Sequence, residues 1–170
     1  MKTIRLDFLM GTDCSSWLIG LWGGSPHNRW SHCASVLEDG RYLDARNDRL
    51  GSVPPGIHIR EPQIEAWRYK RRITIPVMDA TYAAWEANLR AKIGDYYALP
   101  DIEGTILQRM LHRVGTYDCS ALLVNALQHV QLLPFPLPAP AHEITPNMAL
   151  LLAATCRHCT VGPIVASTSA

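Results

Sequence analysis

Tyr117-Asp118-Cys119-Ser120 runs directly into Ala121-Leu122-Leu123-Val124-Asn125-Ala126-Leu127, so a polar cluster opens an apolar helical run and puts a thiol in its first turn. The unsatisfied N–H groups and the macrodipole at a helix N-terminus favour negative charge, so a cysteine there is disposed to ionise near neutral pH. Nucleophilic catalysis also needs a base within hydrogen-bond reach and a group that orients the base. Of seven histidines, His32 is the one that follows Trp30-Ser31 at the start of an extended run, where a strand would hold it rigidly. His27, His58, His112, His129 and His142 receive no role, and Cys33, one residue on from His32, would face the other way and sit in the core.

These residues must be positioned by a hairpin. Residues 31–37 and 41–47 read as strands joined by Glu38-Asp39-Gly40, and Asp-Gly between such runs signals a tight turn. A two-residue Asp39-Gly40 turn sets Glu38 opposite Arg41, Val36 opposite Leu43, Ala34 opposite Ala45 and His32 opposite Asn47. The face carrying Ala34, Val36, Leu43 and Ala45 then lies on the cysteine helix, and Asn47 orients the imidazole. A three-residue loop with a bulge puts Arg46 opposite His32 instead, with Asp44 and Asp48 as substitutes for Asn47.

Residues 1–9 alternate as a first strand, without the apolar core of a signal peptide. Residues 15–22 can make a short, very apolar helix, either core or the wall of a binding site. Further extended segments are expected at 56–60 and 67–77, broken by Pro54-Pro55 and Pro62. From Asp79, a plausible cap, the period changes: Tyr82, Trp85, Leu89 and Ile93 share one helical face to about Lys92, and Gly94 stops it. A helical segment at 102–114, the cysteine helix to about Val130, a proline-rich extended connector at 134–140, and a last helix capped by Thr145-Pro146 and ending near Ala154 complete the chain. The residues beyond Cys159 read as loosely ordered.

At 170 residues and 48% hydrophobic content, one domain is expected, with an α+β fold. Net charge +1 gives no basic stripe for nucleic acid, and Arg68-Tyr69-Lys70-Arg71-Arg72 reads as a solvated strand edge. No stretch is long and apolar enough to span a membrane. Five cysteines (Cys14, Cys33, Cys119, Cys156, Cys159) form no even disulfide framework, which points to reduced thiols and a cytoplasmic site of synthesis. Cys156-Arg157-His158-Cys159 has no second Cys/His pair at the spacing a structural zinc requires, so neither metal nor cofactor is expected.

The combination of Trp30-Ser31-His32-Cys33-Ala34-Ser35-Val36-Leu37, Asp39-Gly40-Arg41-Tyr42-Leu43 and Tyr117-Asp118-Cys119-Ser120-Ala121-Leu122-Leu123 resembles the permuted NlpC/P60 papain-like cysteine hydrolases. In ordinary NlpC/P60 enzymes the Asp-Cys-Ser motif precedes the histidine. Here histidine comes first, as in the YiiX-like and lecithin:retinol acyltransferase-like branches. The opening strand, the hydrophobic segment before His32 and Ile144-Thr145-Pro146-Asn147 are similar to small phage and prophage members, and the family's usual glycine after Asp-Cys-Ser is Ala121 here. The resemblance implies a circularly permuted papain-like domain over residues 1–155, with an antiparallel sheet or partial barrel against the nucleophile helix, and a tail at 156–170. It implies that Cys119 is the nucleophile, His32 the base and Asn47 the orienting residue, and that Asp118, Ser120 and Tyr117 bind substrate. Asp118 reads equally as a helix cap. The activity implied is hydrolysis of amide bonds, with peptide or peptidoglycan stem peptides as substrate. Phage structural proteins are the implied partners, with association to a virion. Two alternatives stand beside it: an acyltransferase or lipase-like enzyme using a Cys119 acyl-enzyme, its acyl site lined by Trp17, Leu18, Ile19, Leu21 and Trp22, and a non-catalytic virion component on the same scaffold.

Overall fold

The computed structural model of the chain describes residues 1–12, 30–46, 52–62, 66–97, 116–133, 137 and 141–167. Among these, the elements in chain order are β1 (Lys2–Gly11), β2 (His32–Val36), β3 (Tyr42–Arg46), β4 (Gly56–Arg60), β5 (Trp67–Val77), α1 (Asp79–Arg90), β6 (Tyr96–Tyr97), β7 (Thr116–Tyr117), α2 (Cys119–His129), α3 (Pro146–Ala154) and β8 (Thr160–Ala166). The fold is α+β: a six-stranded sheet in the order β4-β3-β2-β1-β5-β8, antiparallel at every pairing.

Strand periodicity of two divides this sheet into faces. Ile4, Leu6 and Phe8 of β1, Cys33 of β2, Leu43 and Ala45 of β3, Ile57 of β4 and Ile73, Ile75 and Val77 of β5 form one cluster with the helices. Leu9, Ala34, Val36 and Tyr42 form a second cluster on the other face. The helices are held by the stripes the sequence lays out. Tyr82, Trp85 and Leu89 of α1 are buried, with the Tyr82 and Trp85 rings tilted 54° at 5.3 Å. Helix α2 is buried over Cys119–Val124 and again at Ala126 and Leu127, which makes it the central helix. Thr145 caps α3 as expected, its hydroxyl accepting from the Met148 N–H at 3.3 Å, with Pro146 in the first turn.

Four expectations change. Asp79 is the first residue of α1 rather than its cap: Met78 holds the cap position with no side-chain bond, and Asp79 pairs with the N-terminal ammonium at 3.1 Å. The basic run 68–72 is not a sheet edge, because β5 lies between β1 and β8. Arg72 grips the buried Asp7 carboxylate with two bonds of 2.6 and 2.7 Å, a fork that suits guanidinium geometry. Thr160–Ala166 are the edge strand β8, paired with β5 from Thr74↔Thr160 to Tyr69↔Ala166. A strand of small and apolar residues carried no charge alternation to announce it, and the long β5 supplied the template.

The fourth change concerns the hairpin that carries His32. Ser35 lies opposite Leu43 and Val36 opposite Tyr42, and the Leu37 N–H donates to the Arg41 carbonyl, so the turn contains three residues. Gly40 has φ +89°, the left-handed conformation such a bulged turn needs. This is the second register considered from sequence, and a slip of one residue exchanges faces. Cys33, Leu43 and Ala45 thus join the helix cluster, whereas Ala34, Val36 and Tyr42 form the second cluster. The expected helices at 15–22 and 102–114 and all of the 134–140 connector but residue 137 lie outside the described residues.

Candidate active site

Cys119 begins α2, preceded by Asp118 in an extended cap conformation whose Oδ1 accepts from the Ala121 N–H at 2.6 Å. The Leu122 N–H donates to the Asp118 carbonyl. Asp118 thereby satisfies the first turn and leaves the thiol at the positive end of the helix. The two-residue parallel pairing of β6 with β7, Tyr97 opposite Tyr117, leads the chain into this turn. The N-terminal part of α2 lies against β2 and β3, with Cys33 and Cys119 in one cluster and both buried.

His32 is the first residue of β2, and its position is fixed from both sides. The Ser31 N–H donates to the Leu9 carbonyl at 3.0 Å, the Ser31 hydroxyl accepts from the Gly11 N–H at 2.9 Å, and the Trp30 N–H donates to Asn147 Oδ1 at 3.2 Å. These tie the strand start to β1 and α3. His32 Nε2 lies 2.7 Å from Asp44 Oδ2. An ionised carboxylate only accepts, so the proton of that bond sits on Nε2 and Nδ1 is the nitrogen left to exchange a proton with the thiol. The His32 side chain is 13% exposed and that of Asp44 1%.

The carboxylate bonded to His32 is thus Asp44, on β3. Asn47 and Asp48 lie outside the described residues. Asp44 is buried with cationic company. Arg60 on β4, 2% exposed, donates from Nη1 to Asp44 Oδ1 and to the Asp44 carbonyl at 3.1 Å. Burial alone pushes the Asp44 carboxyl up, but the hydrogen bond and charge of His32, with the charges of Arg60 and Arg46, more than offset it and hold the carboxyl below its ordinary value.

Cys119 is held well below the ordinary thiol value. The largest cause is a hydrogen bond from the Cys33 thiol; burial opposes it, and the charge and a hydrogen bond of His32 act in the same direction as Cys33. Cys33 carries the reciprocal burden, pushed well above its ordinary value by burial and by donating to Cys119. Cys119 thus has the Cys33 thiol on one side and His32 on the other, at a helix N-terminus, and each of the three favours its charged form. Cys156, by contrast, donates to the Leu132 carbonyl at 3.4 Å and is pushed up to about 11 by burial. No group of three or more His, Cys, Asp or Glu among the described residues could hold a metal ion.

The structure thus brings together Cys119 and His32 as the sequence led us to expect, and adds three residues to them. Asp44 entered the sequence reading only as a substitute, Cys33 only as core, and Arg60 only as part of a strand. The detectable signal was the polar series Asp44, His58 and Arg60 on two strands that are otherwise apolar at alternate positions. Of the expected substrate residues, Asp118 is the helix cap and Ser120 is buried at 1% exposure, its hydroxyl 3.9 Å from Cys119 Sγ. Tyr117 is placed in β7 by its backbone. The segment Trp17 to Trp22 lies outside the described residues. No protein-family model and no curated protein matches the chain. No helix among the described residues is long and apolar enough to cross a membrane.

Proposed function

We propose that the protein is a thiol hydrolase of amide bonds, acting through a Cys119 thioester, on a circularly permuted papain-like scaffold. The observation that carries this reading is the 2.7 Å contact between His32 Nε2 and Asp44 Oδ2, which fixes an imidazole that also bonds to a thiol held well below its ordinary value. A buried structural cysteine has no need of either neighbour. In the reaction, Cys119 Sγ attacks the carbonyl carbon, and the N–H at the head of α2 stabilises the oxyanion. His32 then gives its Nδ1 proton to the leaving nitrogen as the C–N bond breaks, which leaves a thioester and a neutral imidazole. His32 next takes a proton from water, whose oxygen attacks the thioester. Collapse releases the carboxylic acid and restores the thiolate and imidazolium. Asp44 keeps its charge throughout and holds the tautomer.

The substrate class, peptide linkages and in particular peptidoglycan stem peptides, rests on the resemblance of the Tyr-Asp-Cys-Ser and Trp-Ser-His segments to NlpC/P60 enzymes. The same resemblance supports an association with phage structural proteins. Digestion of purified peptidoglycan with the wild type and with Cys119→Ala, followed by fragment masses, tests it. The expected outcome is a new free amine and carboxylate at one stem-peptide bond with the wild type only. Absence of a Cys119-dependent product would overturn the substrate assignment.

A further inference from the structure

Arg60 is a buried cation that the thiol chemistry does not require, and its bonds converge on the site. Its Nη1 donates to Asp44 Oδ1 and to the Asp44 carbonyl, and reaches the His58 carbonyl at 3.4 Å. Its Nη2 donates to the carbonyls of Gly56 at 3.1 Å and Pro54 at 3.3 Å. Gly56 has φ +119°, and a Cβ there would stand 2.9 Å from the Asp95 carbonyl oxygen, so the backbone that cradles the guanidinium is shaped by a residue only glycine can supply. The two Asp44 oxygens are thereby divided: Oδ1 belongs to Arg60 and Oδ2 to His32.

We propose that Arg60 is a positioning residue for the His32 base: by sharing the Asp44 carboxylate it aims Oδ2 at Nε2 and withholds part of the negative charge, so that His32 can release its proton during turnover. The inference rests on the proposed Cys119–His32 chemistry. Its physical basis is the fate of Asp44 when His32 becomes neutral. With imidazolium present, the carboxylate has two cationic partners. Once the proton leaves, a buried carboxylate with no other cation in contact would be costly, and that cost would hold the proton on the ring. Arg60 removes it. Among the described residues, the other charged or titratable groups about the pair include Arg46 and Tyr42 on β3, His58 opposite Asp44 on β4, Cys119 and Asp118 at the head of α2, Cys33 on β2, and Asp7 on β1 with Arg72 and Lys70 of β5. Asp7 is already matched by Arg72, and Arg60 donates to the Asp44 carboxylate.

The test is a proton titration of His32 by NMR on histidine labelled at Cε1, its signal assigned by loss in His32→Gln, in full-length Cys119→Ala protein so that the thiol does not titrate with it. Arg60→Met raises the pH at which His32 releases its proton, about tenfold in proton affinity, and Arg60→Lys, which keeps the charge, restores most of the wild-type midpoint. Asp44→Asn moves the midpoint the other way. Should Arg60→Met fail to fold, Arg60→Gln, which keeps an N–H donor for Asp44 but not the charge, is read in its place, and its midpoint also lies above that of the wild type. No movement, or a fall, on removing Arg60 overturns this inference while the response to Asp44→Asn stands. If Asp44→Asn also leaves His32 unmoved, the Asp44–His32 pairing in the proposed function fails instead.

Discussion

Replacing His32 with alanine removes from Cys119 both a positive charge and a hydrogen bond, and the structure sets the scale of the loss. Cys119 is 5% exposed and His32 13%, so water and salt screen their interaction little. A hydrogen bond to a charged partner is worth about 1.5–3 kcal/mol net, which corresponds to roughly 10- to 100-fold in the thiolate fraction at acid pH. Two of the remaining supports, the Cys33 thiol and the helix N-terminus, stay in place, but the dipole contributes only about 0.3–1 kcal/mol and cannot make up the difference. The sign follows from the thiol being held below its ordinary value: removing a cause of that shift moves its ionisation to higher pH. The assay is the pH dependence of iodoacetamide alkylation, followed by the mass of the Cys119 peptide, with Cys156 as an internal reference because burial pushes that thiol up to about 11. In the wild type, Cys119 is alkylated at acid pH where Cys156 is inert. In His32→Ala, verified as folded by its thermal transition, the acid-side rate falls about 10- to 100-fold. An unchanged rate, or a wild-type profile equal to that of the unfolded chain, would show that His32 does not lower the Cys119 thiol.

Cys33→Ala removes the strongest stabiliser of the Cys119 thiolate and shifts the same alkylation limb to higher pH while leaving His32 in place, a change read by the identical assay. Asp118→Ala deletes the cap bond to the Ala121 N–H and lowers stability by about 1 kcal/mol, measured by urea unfolding. Because the folded carboxyl of Asp44 lies below its ordinary value of 3.8, its contribution is complete above that pH and is lost as the pH falls further. Asp44→Asn is accordingly less stable than the wild type at pH 7, with Arg60 left unmatched, and the gap narrows in acid melts. Trp85→Ala opens a cavity beneath α1, where the side chain is wholly buried, and costs about 3–5 kcal/mol by denaturant titration.

The thiol at the head of α2 and the histidine at the head of β2 were legible because their signals are local. A thiol in the first turn of an apolar helix follows from a few consecutive residues, and so does a histidine at the head of a strand. The strands at 56–60 and 67–77 and the helix stripe Tyr82, Trp85, Leu89 follow from periodicity in the same way. What depended on one turn geometry was ambiguous: Asp39-Gly40 suits a two-residue turn and a three-residue bulged loop alike, and the choice decides which residues of β2 and β3 lie opposite one another. Contacts between distant segments were the least accessible. Nothing near Cys33 says that α2 will bring a second sulfur to it, and nothing in Ile59-Arg60 says that the arginine turns in toward Asp44. The strand β8 was missed for a related reason, since its pairing partner lies some ninety residues earlier.

Covalent catalysis through Cys119 is read out by acid-quenched digestion of peptidoglycan followed by intact mass. A wild-type population is expected to carry the acyl half of the cleaved bond on the Cys119 peptide, released by hydroxylamine as a thioester is, with no such adduct in Cys119→Ala. Cleavage that persists in Cys119→Ala, or an adduct that maps to a different residue, would contradict it.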